Sequence, residues 1–430
     1  MAEPQTKEIE KGVEGIALEQ QPQGQKTAEQ KVTPWDVEGA VVEGKAVEID
    51  YDRLIKDFGT KKITPELLER FEKVTGHRPH RFLRRGLFFS ERDLGRMLDR
   101  LEQGKSFFLY TGRGPSSGSM HLGHAIPFAF TKWLQDVFDV PLVIMLTDDE
   151  KFLFKQSLTI EDVKKFTLEN AKDILAIGFD LKKTFVFSDL QYMGGKFYEN
   201  VVRTSRQITT SVARSVFGFQ DSDNIGRVQY PAIQIAASFS NSFPHIFGPQ
   251  KDIPALIPCA IDQDPYFRLC RDVASKLKYP KPALLHAKFI PALQGASSKM
   301  SASVSTSTIY LSDTAKQVEN KIKKHAFSGG RATLEEQREF GANPDIDVAY
   351  QYISFFLEDD AELERIYTEY KAGKMLTGEV KAICAKVINE FTGEFQKKRA
   401  TITDATVAEY MNTNRKFEWD EGKKTSPAQQ

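Results

Sequence analysis

Through the middle of the chain, short apolar runs alternate with longer amphipathic stretches. Phe107–Tyr110, Leu142–Leu146, Thr184–Phe187, Leu256–Ala260 and Leu285–Ile290 read as buried strands. Between them, Ile160–Ala176 follows a capping Thr159 and sets Val163, Phe166, Ala171 and Ile174 near one helical face. Strand–helix alternation predicts an α/β fold, a parallel sheet covered on both faces. From Asp189 to Pro249 helical and irregular sequence breaks the rhythm, which reads as an insertion between two halves of the sheet. After Ser303 strand signals fade. Thr314–His325, Asp347–Glu358, Ala361–Lys371 and Glu379–Glu394 read as helices of a separate all-helical domain.

The ends differ from this body. Residues 1–31 hold six Gln, six Glu and no aromatic residue, too little apolar surface to offset the entropy of ordering, so a disordered tail is expected. Val32, Trp35 and Val37 then predict a segment that docks on the body. Leu67, Leu68 and Phe71 predict a helix after Thr64, closed by Gly76. The expected division is a tail at 1–31, an extension at 32–80, an α/β domain at 81–303 with its insertion at about 189–249, a helical domain at 304–416 and a tail at 417–430.

Composition narrows the class of protein. The 430 residues carry 59 Lys+Arg against 59 Asp+Glu, so nucleic acid would have to be met by local basic patches. The three cysteines, Cys259, Cys270 and Cys384, form no zinc spacing, so no protein-bound zinc and a reducing, cytoplasmic compartment are expected. No run approaches the ~18 apolar residues of a membrane span, and the Gln-rich start is unlike a signal or transit peptide. No membrane association is expected.

Chemistry concentrates in two tracts. Tyr110-Thr111-Gly112-Arg113-Gly114-Pro115-Ser116-Ser117 leads through Gly118 to His121-Leu122-Gly123-His124 and the amphipathic run Ala125–Phe138. A strand, a glycine-rich loop and a helix N-terminus allow close backbone approach and offer N–H groups to a phosphate. His121 and His124 share one face of the first turn, where both can donate to an oxyanion. This is neither a Walker loop, since no GxxxxGK[ST] occurs, nor a dinucleotide fingerprint, since the third glycine comes one residue late. The second tract, Lys299-Met300-Ser301-Ala302-Ser303, surrounds one lysine with small residues, as suits a mobile cation closing over a triphosphate.

Together these motifs resemble the paired signatures of class I aminoacyl-tRNA synthetases. Thr147-Asp148-Asp149-Glu150, Ala260-Ile261-Asp262-Gln263-Asp264-Pro265-Tyr266-Phe267-Arg268 and His325-Ala326-Phe327-Ser328-Gly329-Gly330 narrow the resemblance, from about Val32 to about Lys416, to the eukaryotic-type tryptophanyl-tRNA synthetases. The resemblance implies a Rossmann-like catalytic domain, an insertion that helps form a homodimer, an extension docked on the active site and a helical anticodon-binding domain. It implies ATP with Mg2+, L-tryptophan and tRNA(Trp) as partners, and tryptophanyl-adenylate as the activated intermediate. It places Gly112, Arg113, Gly114, His121, Gly123, His124, Lys299, Met300 and Ser301 on ATP, with His121, His124, Lys299 and Ser301 catalytic. It places Tyr110 and Gln263 on the indole N–H, and Glu150 and Gln234 on the substrate ammonium. Lys323, Lys324 and Arg331 belong to a basic cluster expected to meet tRNA. Met145 stands where this family leads one to expect Gln or Glu, which would make one pocket wall a thioether.

Plainer structural roles compete for several positions. Thr147 with Glu150 fits a helix capping box, Asp262 and Asp264 can cap the helix near Pro265, Tyr110 suits a core strand and Gln234 a helix surface. Two other functions share parts of the pattern, a tyrosyl-tRNA synthetase and a small-molecule nucleotidyltransferase with an HxGH turn.

Overall fold

The computed structural model describes residues 29–419 apart from 36, 43, 44, 301–305 and 307, with backbone alone at 41, 42, 45, 46 and 296–299. Residues 1–28, most of the expected N-terminal tail, and 420–430 therefore lie outside the described residues. The strands are β1 (Lys31–Val32), β2 (Val37–Glu38), β3 (Val41–Val42), β4 (Lys45–Ala46), β5 (Lys61–Lys62), β6 (Phe88–Arg92), β7 (Phe108–Arg113), β8 (Leu142–Leu146), β9 (Thr184–Ser188), β10 (Ala255–Ala260), β11 (Ala283–Ala287), β12 (Pro291–Ala292) and β13 (Gly295–Lys299).

The main sheet has the order β5-β6-β11-β10-β7-β8-β9, parallel from β11 to β9, with β6 and β5 antiparallel at one edge. All five expected strands are its parallel core, each within a few residues of its expected bounds. The pleat sorts their side chains. Leu109, Ile144, Val186, Leu256 and Leu285 enter one buried cluster, whereas Phe108, Tyr110, Val143, Met145, Phe185, Ile257 and Leu284 enter the other. Helices Leu122–Phe138 and Ile160–Leu175 cover the first face, and helix Asp264–Leu277 with the helices between β9 and β10 covers the second. The chain winds outward from β7 through β8 and β9, then returns to lay β10 on the other side of β7. That reversal opens a crevice beyond the carboxyl ends of β7 and β10, where open parallel sheets bind ligands.

The expected helices are present at Pro65–Thr75, capped by Thr64 and Gly76, and at Ala315–His325, Val348–Phe356, Asp360–Lys371 and Thr377–Arg399. The helical region shares one hydrophobic cluster with the first face of the sheet, through Tyr352, Ile353 and Ile388. Charges reinforce the seam: Arg84 and Arg85 converge on Asp360, and Arg399 pairs with Glu169 and Asp173.

Both chain ends are held further out than expected. Gln30 exchanges hydrogen bonds with the backbone of Asp50. Phe417, expected to begin a tail, is buried against Phe185 and His245, and Trp419 meets Phe247 edge-on. β6 and β13 were not expected. β6 carries Ser90 and Glu91 inward with its phenylalanines, and β13 is a run of small polar residues that pairs through backbone with β12 and with Glu38 of β2.

Candidate active site

A cavity of about 320 Å3 fills the crevice. Tyr110, Gly112, Arg113, Gly114, His121, Gly123, His124, Glu150, Gln234, Gln263 and Met300 all line it, although they come from six separate parts of the chain.

At one end sits the turn between β7 and helix Leu122–Phe138. His121 is the N-cap in extended conformation, and its ring stacks on His124 with centroids 3.5 Å apart. The His121 N–H donates to Nδ1 of His124 at 3.4 Å. A Cβ at Gly123 would stand 3.1 Å from the His121 ring and 3.8 Å from Cβ of Met300. Glycine thus lets the two signature tracts meet. Further backbone bonds tie them: Leu122 N donates to Ile309 O, and Leu311 N to Met120 O. Met300 is buried and hangs from Ile290 O by its own N–H. The side chain of Lys299 and all of Ser301 lie outside the described residues, but β13 carries the Lys299 backbone to the rim in register with Pro291.

Arg113 closes β7. Its Nε donates to Oδ1 of Asn170 at 3.1 Å, while Nη2 is buried without a protein acceptor. Burial pulls the guanidinium down to about 10 against the opposing pull of Glu150 and Asp173. A guanidinium nitrogen without a protein acceptor beside a glycine-lined turn fits a polyphosphate.

The deeper part is aromatic and amide-lined. Tyr110 is buried, and its hydroxyl lies 3.1 Å from both the Gln234 carbonyl and Met145 Sδ. One proton serves one of these acceptors, so the lone pairs of the phenol remain available to a ligand donor. Nε2 of Gln234 donates to Oε1 of Gln263 at 3.3 Å. Gln263 is therefore partnered with Gln234. Met145 is fully buried behind Tyr110 and does not line the cavity, which corrects the expected thioether wall.

The capping readings also change. Thr147 is the N-cap of helix Asp148–Phe154 but makes no side-chain cap bond, because the Glu150 N–H donates to Asp149 Oδ1 at 2.6 Å and the Thr147 N–H to Arg113 O, while the Glu150 carboxylate takes Lys151 Nζ at 2.6 Å and the Thr147 hydroxyl at 3.4 Å. Asp264 likewise caps nothing. It takes Arg92 Nε at 2.7 Å and Nη2 at 2.8 Å, and His286 Nε2 stands 3.1 Å away. Behind the cavity, carboxylate oxygens of Asp148, Asp149 and Asp189 gather within 4.8 Å, all buried. Burial first, then the neighbouring carboxylates, raises Asp149 to about 6 and Asp189 well above the usual range.

Several cavity residues carry no motif. Lys151, Tyr230 and Lys288 line it, and so do Pro34 and Trp35 of the extension. Trp35 stacks on Phe154 with centroids 5.3 Å apart and leans on Phe217 and Phe219. Docking of this segment on the body was legible in its apolar residues; Lys151 was hidden as one charge among many on a helix start. Lys323, Lys324 and Arg331 sit far along the chain in the helical region and do not line the cavity.

A parallel α/β sheet with a glycine-rich turn at its switch point, two stacked histidines and an aromatic amide-lined recess defines a Rossmann-like enzyme. Comparison with known proteins fixes which kind. Residues 102–393 match the family model for tRNA synthetases class I (W and Y). The chain is 61% identical over 391 residues, 91% of its length and 99% of the relative's, to a cytoplasmic tryptophan–tRNA ligase of Schizosaccharomyces pombe. It is 63% identical over 394 residues, 91% of each chain, to that of Saccharomyces cerevisiae. A tryptophanyl-tRNA synthetase from Encephalitozoon cuniculi bound to tryptophan superposes with a TM-score of 0.79 at 43% identity, covering 86% of this chain and 99% of that one. The chain belongs to the class I tRNA synthetases, and within them to the tryptophan–tRNA ligases. These likenesses favour tryptophan over tyrosine and leave no support for the small-molecule nucleotidyltransferase.

Proposed function

We propose that this protein activates L-tryptophan with Mg-ATP and transfers the tryptophanyl group to tRNA(Trp). One observation carries the assignment of the site: a single cavity is lined by Tyr110 and Gln263, by the Glu150 carboxylate and by the glycine-rich turn with Arg113, His121 and His124. The indole enters beside Tyr110, the ammonium meets Glu150 and Gln234, and the carboxylate then faces the α-phosphate held near Arg113, His121 and His124. A carboxylate oxygen forms the new bond to the α-phosphorus as the bond to the bridging oxygen of pyrophosphate breaks. Donors at the turn, joined by Lys299 and Ser301, stabilise the charge that gathers on the phosphates. The terminal ribose hydroxyl of tRNA then attacks the activated carbonyl and AMP leaves. A cytoplasmic location follows the names of the relatives, and no helix among the described residues is long and apolar enough to cross a membrane.

A homodimer is supported by the insertion, which exposes Tyr198, Val202, Val212 and Ile225, the last 85% exposed, beside a groove lined by Ile208, Ala213 and Val228. Lys323, Lys324 and Arg331, with exposed Phe327 and Phe340 nearby, suit single-stranded RNA, since cations track phosphates and rings stack on bases. The deciding assay is pyrophosphate exchange run with each of the twenty amino acids, followed by tRNA charging. Exchange that depends on tryptophan supports the reading; exchange that depends on tyrosine, or on no amino acid, refutes it.

A further inference from the structure

Lys151 is placed against the expectation for a residue on a helix start. Neighbouring positions on an α-helix point away from each other, yet Lys151 curls back so that Nζ stands 2.9 Å from Oε1 and 2.6 Å from Oε2 of the preceding Glu150. Both side chains are largely withdrawn from solvent, with 22% and 7% exposed. The path of the lysine depends on Gly114. A Cβ there would collide with Cε of Lys151 and stand 2.8 Å from Nζ and 3.0 Å from Oε2 of Glu150. Glycine at 114 therefore leaves a channel through which an internal ammonium reaches the carboxylate.

We propose that the Lys151 ammonium occupies the place of the substrate's ammonium and is exchanged for it when tryptophan binds. This rests on Glu150 being the ammonium site in the function proposed above. A primary ammonium held by both oxygens of one carboxylate is chemically the same group that an α-amino acid presents. Lys151 Nζ already occupies both oxygens of Glu150, and a second ammonium there would meet its repulsion in a half-dry cavity, so arrival of one favours departure of the other. Without ligand, the internal cation keeps Glu150 from being a buried unpaired charge. With ligand, the long flexible stem lets the displaced Nζ swing toward the substrate carboxylate and the α-phosphate, across Gly114 from the phosphate turn. It then stabilises the negative charge of the adenylation step, in which no proton moves and pyrophosphate departs with the bond electrons. Displacement by the correct substrate would thus deliver a catalytic cation.

The test compares the full-length wild type with Lys151→Met and Lys151→Gln, using two partial ligands measured by calorimetry. Tryptamine has the indole and the ammonium but no carboxylate; 3-indolepropionate has the carboxylate but no ammonium. Removing the internal competitor should tighten tryptamine about tenfold, the low end for a close desolvated charge pair. It should not tighten 3-indolepropionate. In pyrophosphate exchange with tryptophan, turnover should fall about 100-fold with little change in KM, as for loss of one charge-stabilising donor. Tryptamine bound no more tightly by both variants, or both ligands tightened alike, overturns the exchange; turnover within threefold of wild type overturns the delivered cation. Failure of the wild type itself to exchange with tryptophan would instead sink the functional reading, and this inference with it.

Discussion

Asp264 offers the sharpest test of how the cavity wall is held. It follows Gln263 directly, is fully buried, and grips Arg92 of β6 through both oxygens while facing His286 of β11. His286 in turn meets Ser90 Oγ at 3.0 Å through Nδ1, so one carboxylate joins two strands to the helix that frames the recess. Burial alone would raise this acid; hydrogen bonds from Arg92 and His286 overcome burial and hold it at about 2. Relative to an unfolded value near 3.9, that depression contributes on the order of 2–3 kcal/mol at neutral pH. Because the folded value is the lower one, the contribution is full above pH ~4 and disappears as pH falls through about 2.

Asp264→Asn keeps the shape and removes the charge. Loss of one partner of a buried pair costs ~3–5 kcal/mol when the survivor is stranded. Here Arg92 retains the carbonyls of Phe58 at 2.5 Å and Gly59 at 3.0 Å, so the lower end applies. We expect urea denaturation at pH 7 to show a loss of about 2–3 kcal/mol for the variant. At pH 3 the gap should narrow to roughly half, since the wild type is then losing the same term. Tryptophan KM should rise as Gln263 loses its anchor. An unchanged midpoint at pH 7, or a gap that widens on acidification, would refute the reasoning.

Asp149 should behave in the opposite sense. Its raised value of about 6 means that the folded state holds a proton the unfolded chain has released, so stability from this group is lost as pH rises from ~4 to ~6. Asp149→Asn should therefore gain on wild type between pH 5 and pH 7 by about 1 kcal/mol, read from paired denaturation curves; parallel curves would show that the carboxyl is ionised and satisfied. His124→Ala should lower exchange turnover by about 10²–10³ while tryptophan binding, measured by fluorescence, changes little, and near-normal turnover would remove it from the phosphate chemistry. Trp35→Ala removes three aromatic contacts of ~0.5–1.5 kcal/mol each at the mouth of the cavity, so KM for ATP should rise while global unfolding barely moves; an unaffected KM would make the docked extension a bystander.

What could be read from sequence depended on whether one residue's neighbours or distant ones decide its role. β7 to β11 were legible because a strand buried on both faces must be apolar throughout. β13 was not, because Gly295–Lys299 joins its sheet through backbone bonds to β12 and β2, and small polar side chains leave no trace of that pairing. β6 failed for another reason: Ser90 and Glu91 are buried but satisfied, Ser90 by His286 and Glu91 by the N–H of Leu94. Glu150 fitted a capping box until its carboxylate was seen to prefer Lys151, and Asp264 fitted a cap until Arg92, far back in the chain, claimed it.

A common cause links the residues that matter. Each central strand ends where an apolar run meets charge: Arg113 closes β7, Asp148 to Lys151 follow β8, Asp189 follows β9, Asp262 to Asp264 follow β10 and Lys288 follows β11. In a parallel sheet those ends share one edge. Where a helix begins there, its N-terminus attracts carboxylates and phosphates alike. Sequence alone could mark every one of these boundaries, but only the strand order brings β7 and β10 side by side and leaves β9 at the far edge. Glu150 after β8 lines the cavity, whereas its neighbour Asp149 is buried beside Asp189, which follows β9 at the far edge. The charge directly after Glu150 escaped the sequence reading because its role needs Gly114 on another strand's loop to leave it room.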